Sequence, residues 1–67
     1  MTLTAIYMIV LYHLLPGTTK TVKAIQAPTL EICQSAALDA NKRLEAAGEY
    51  ALTAGFGYVA ACEVSYK

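Results

Sequence analysis

The chain has 67 residues, 57% hydrophobic and 15% charged, with five Lys and Arg balanced by five Asp and Glu for a formal net charge of zero. So apolar a composition excludes the disordered class, and without a single-signed field nothing gathers phosphate backbones, so direct nucleic-acid binding is disfavoured. Residues 1–67 read as a single domain of a size that buries only ~60% of the surface its unfolded chain exposes, which calls for a disulfide, a metal or a second subunit.

Residues 3 to 15, Leu-Thr-Ala-Ile-Tyr-Met-Ile-Val-Leu-Tyr-His-Leu-Leu, carry no formal charge and are rich in β-branched and aromatic side chains. With no N-cap before them they read as a strand rather than a helix. At period two, Leu3, Ala5, Tyr7, Ile9 and Leu11 line one face and Ile6, Met8, Val10 and Tyr12 the other. Both faces are apolar, as expected of a central strand. The same run matches a signal core in length, which makes a membrane-associated or exported protein, with residues 3–15 as anchor or signal, the alternative reading. No Lys or Arg precedes the run, Pro16-Gly17-Thr18-Thr19 is a poor cleavage site, and a bilayer-spanning helix needs ~20 residues. Membrane association is therefore disfavoured.

Pro16-Gly17 has the chemistry of a type II turn, and because that turn matches hairpin twist less well than the primed types, a loop of about four residues, Leu15 to Thr18, is expected. Residues 19 to 26 return as a second strand whose Lys20 and Lys23 suit a sheet edge. Thr29 is the expected N-cap of a helix with Glu31 in its first turn. Leu30, Cys33, Ala37, Ala40, Leu44 and Ala47 form its apolar stripe, Asn41 falls on the polar side, and Gly48 is the stop. Residues 49 to 57 fit a helix extension, a short strand or a loop. From Tyr58 the pattern is a half-buried strand, with Tyr58, Ala60, Cys62, Val64 and Tyr66 on its core side.

These elements compose an α+β fold: a three-stranded, or at most four-stranded, antiparallel sheet in the order strand, strand, helix, strand, with one helix packed on one face. The first strand lies in the middle. One alanine-rich helix cannot cover two apolar faces, so either the face carrying Tyr7, Ile9 and Leu11 or the alternate set is left for a partner.

Cys33, in the first turn of the helix, and Cys62, on the core side of the last strand, are a candidate disulfide, set against two buried reduced thiols of the cytosolic kind. His13 is the single histidine and with two cysteines makes too small a ligand set, so no metal is expected. The five tyrosines are many for this length, and Tyr7, Tyr12 and Tyr66, with Ile9 and Leu11, are the expected interface residues. Gly55-Phe56-Gly57 is too short for a phosphate loop and opens no helix, and the carboxylates show no pairing with a base. No catalytic residue and no cofactor is expected.

The layout of apolar first strand, turn, lysine-bearing second strand, a helix beginning Thr-Leu-Glu-Ile-Cys-Gln-Ser-Ala-Ala and a closing Tyr-Val-Ala-Ala-Cys-Glu resembles the small orphan accessory proteins of tailed bacteriophages and prophages. The resemblance implies a non-enzymatic inhibitor that binds and blocks a host protein in the cytoplasm, as anti-CRISPR and other anti-defence proteins do. Many such inhibitors are acidic mimics of nucleic acid. This neutral chain departs from that pattern, so steric blocking, by a homodimer, is the implied mode.

Overall fold

A computed structural model describes residues 2–67. Strand β1, Ala5–Leu15, lies between β2, Thr18–Ala27, and β3, Gly57–Tyr66, in one antiparallel sheet of order β2-β1-β3. The apolar run is thus the central strand, hydrogen-bonded on both sides, where its uncharged side chains meet no open edge. No described helix is long and apolar enough to cross a membrane.

The first hairpin is tighter than expected. Leu15 pairs directly with Thr18, so Pro16 and Gly17 alone make the turn, with Gly17 at φ 79°, the value a type II turn requires and L side chains rarely adopt. The register then shifts, from Leu11 opposite Lys23 to Tyr12 opposite Thr21, leaving Val22 as an extra residue on β2. Such a bulge adds the right-handed twist that the turn itself does not match.

Helix α1, Leu30–Ala46, starts where Thr29 Oγ1 accepts the Ile32 N–H at 3.1 Å. It ends in a Schellman arrangement: the Gly48 N–H donates to the Glu45 carbonyl and the Glu49 N–H to that of Leu44. Of the three courses open to residues 49 to 57, the chain takes none alone. Tyr50 makes a single parallel bridge to Tyr58, a one-turn helix α2, Ala51–Ala54, follows, and β3 begins at Gly57. Gly57 sits at φ 122°, and the Glu49 carbonyl occupies the space a Cβ would need. Glycine is required there on both counts.

Among the described residues the buried positions are Val10, Ala27, Cys33, Ala37, Ala51 and Ala60. Four of the six are alanine. Small side chains let α1 approach β3 closely but supply little apolar area. The molecule is a thin slab of 44 × 24 × 15 Å with a radius of gyration of 13.1 Å, against ~11 Å for a compact domain of this length. Its accessible surface is 4803 Å², against the ~4,100 Å² expected for a monomer of this mass. The excess is the signature of a sheet with an incomplete second layer.

Candidate interaction surface

The sulfurs of Cys33 and Cys62 are bonded, with their Cα atoms 5.4 Å apart. That link fixes which side of the sheet bears the helix, because alternate residues of a strand point to opposite faces. Cys62 points to α1. Ile9 lies opposite Cys62, Leu11 opposite Ala60 and Tyr7 opposite Val64, so all three belong to the helix side. The other face carries Ile6, Met8, Val10, Tyr12 and Leu14, and α1 lies on the opposite side of the sheet from it.

Of the expected interface residues, Tyr7, Ile9 and Leu11 lie on the side of α1 and Tyr12 on the open face, all four half-buried. Tyr66 shares the side of Cys62 but is 65% exposed at the far end of β3. The helix packs mainly against β3 and less against β1, so β2 overhangs it, and Ile25, on the helix side opposite Ile9, remains 49% exposed.

The open face carries two charged residues, Glu63 and Lys67, both on its β3 flank, with Lys67 paired to Thr4 at the end of the sheet. Lys23 pairs with Leu11 and Lys20 with His13, which puts both lysines of β2 on the helix side. Glu63 does lie on the open face, opposite Met8, and its carboxylate accepts the Tyr12 hydroxyl proton. Val10 is at the centre, 7% exposed, with Met8 and Tyr12 as its neighbours along the strand and Ala24 and Ala61 across it.

Asn41 was the residue sequence reasoning missed. Its amide donates to the Ala60 carbonyl at 2.9 Å and its oxygen accepts the Ala60 N–H at 2.7 Å, occupying both outward groups at that point of the β3 edge. Next to it the Glu49 carbonyl accepts the Tyr58 N–H at 2.8 Å. The available signal was spacing: Asn41 stands four residues after Ala37 and so lies on the inward side of the helix.

The chemistry-bearing side chains are otherwise engaged in structure. The His13 ring stacks on Tyr58 with centroids 4.4 Å apart. Asp39 and Arg43 form an exposed ion pair at 3.1 Å along the helix. Among the described residues no three His, Cys, Asp or Glu side chains gather as metal ligands. A shallow depression along Glu31, Ile32, Ser35, Ala36 and Asp39 is the flank of α1 and lies open to solvent. No family model, curated protein or solved structure matches the chain.

Proposed function

We propose that the chain is a non-enzymatic protein-interaction module whose binding surface is the open face of the sheet. The observation that carries this reading is the row Ile6, Met8, Val10, Tyr12 and Leu14 on the side of the sheet away from α1, in a molecule with more surface than its mass predicts. An apolar face flanked by small and polar residues, with Tyr12 giving it an aromatic side chain with a polar tip, is what a protein partner recognises. Binding and blocking a host protein is the mode of action that the resemblance to phage accessory proteins implies, and a neutral chain would block by occlusion rather than by charge mimicry. Affinity capture with the tagged chain and with Met8→Lys tests the reading. A partner held by the first and lost by the second supports it, and equal capture by both refutes it.

The Cys33–Cys62 bond favours a second reading, in which the protein works in an oxidising compartment rather than the cytoplasm. Rapid alkylation of cells followed by intact-mass measurement decides between them: unmodified cysteines support the oxidising location, and two alkyl groups per chain support the cytoplasm.

A further inference from the structure

We infer that the open face is covered by a second copy of this chain, face to face, giving a two-sheet sandwich with the helices outside. The inference rests on the interaction-module reading and names its partner. It follows from three properties of the molecule.

The β2 edge and the start of the β3 edge are defended and the face is not. Along β2 the lysines Lys20 and Lys23 and the bulge at Val22 oppose the addition of another strand. Along β3, Asn41 and the Glu49 carbonyl already occupy the outward groups of Ala60 and the Tyr58 N–H. Pairing along that part of the edge would have to displace them.

The face is also compatible with its own image. A two-fold axis brings identical patches together, so any concentrated charge would meet itself. Here the lysines of β2 are on the other side, and the two charges of the face, Lys67 and Glu63 with the Tyr12 hydroxyl as its donor, both lie along the β3 flank. Apolar side chains occupy the middle.

The area suffices. Three strands of about ten residues present a face of roughly 14 × 33 Å, so two copies bury on the order of 1,000 Å² together, the lower bound for a specific interface. Removing ~500 Å² from 4803 Å² leaves each copy close to the surface expected of its mass. Two such sheets pack ~10 Å apart at about −30°.

The test uses the full chain. Sedimentation across a concentration series should show twice the chain mass at high concentration, and Met8→Lys, with its disulfide and circular dichroism intact, should stay monomeric. On the unaltered protein, peroxide oxidation of Met8, timed against added free methionine, should slow at least fivefold as the dimer forms. A dimer whose Met8 oxidises as fast as the monomer's overturns the face assignment. A chain monomeric at several hundred micromolar that still binds an apolar dye overturns the second copy and leaves the interaction module standing, whereas a monomer that binds no dye sinks both.

Discussion

Replacing both Cys33 and Cys62 with alanine removes a cross-link that closes a loop of 29 residues in sequence. In the chain-entropy treatment such a loop restricts the unfolded chain by about 3.6 kcal/mol at 25 °C. Against a total stability of ~3–10 kcal/mol for a domain of this length, that is a third or more of the whole. The native side adds a little, because Cys33 is completely enclosed and tethers the first turn of α1 to β3. At ~4–8 °C per kcal/mol for a small domain, the double variant should melt about 15–30 °C below the oxidised protein. Thermal unfolding followed by far-UV circular dichroism, at one fixed protein concentration so that self-association does not shift the midpoint, measures the difference. Reduction and alkylation of the unaltered chain should lower the midpoint by at least as much. A double variant melting within 5 °C of the oxidised chain would refute the claim that so slight a core depends on its cross-link.

Asn41→Ala should cost about 2–3 kcal/mol in urea unfolding, since it deletes two hydrogen bonds and leaves part-buried backbone groups of Ala60 without partners; a loss below 0.5 kcal/mol would show that water replaces the amide. Asn41→Asp keeps the acceptor for the Ala60 N–H but sets a carboxylate against its carbonyl, so it should fall between alanine and asparagine, with faster amide exchange at Ala60 as the second readout. Gly57→Ala should destabilise by 2 kcal/mol or more, because its φ of 122° and the Glu49 carbonyl both exclude a Cβ, and an unchanged melting temperature would contradict that geometry. Met8→Lys should leave the chain folded, since that side chain is only half-buried and lies on the side of the sheet away from α1, while removing whatever association the open face supports; a variant that loses its helical signal would place Met8 in the core instead.

How much was legible in the sequence varied with how local each interaction is. The uncharged run in residues 5–15 identified the central strand because β-branched and aromatic side chains on both faces fit no other place in a sheet. Thr29 and Gly48 marked the ends of α1, since capping depends on residues within one turn. Asn41 is polar yet stands at an inward spacing of the helix, and its partner is a backbone edge that no side-chain pattern announces. The course of residues 49 to 57 escaped for a similar reason, being set by contacts of Tyr50 and Glu49 with β3 rather than by their own propensities.

The sequence by itself determined the element types, the central place of residues 5–15 and two cysteines on elements able to meet, all of which follow from periodicity and local conformational preference. The tertiary structure decided which side of the sheet the helix covers. β2 and β3 are parallel to each other and joined through α1, and the side on which that crossover passes depends on the twist of the assembled sheet, a property of three strands together and of none alone. Hence Tyr7, Ile9 and Leu11 came to lie with the helix and Ile6, Met8, Val10 and Tyr12 opposite it, although the alternation of the strand had made the two sets equal candidates.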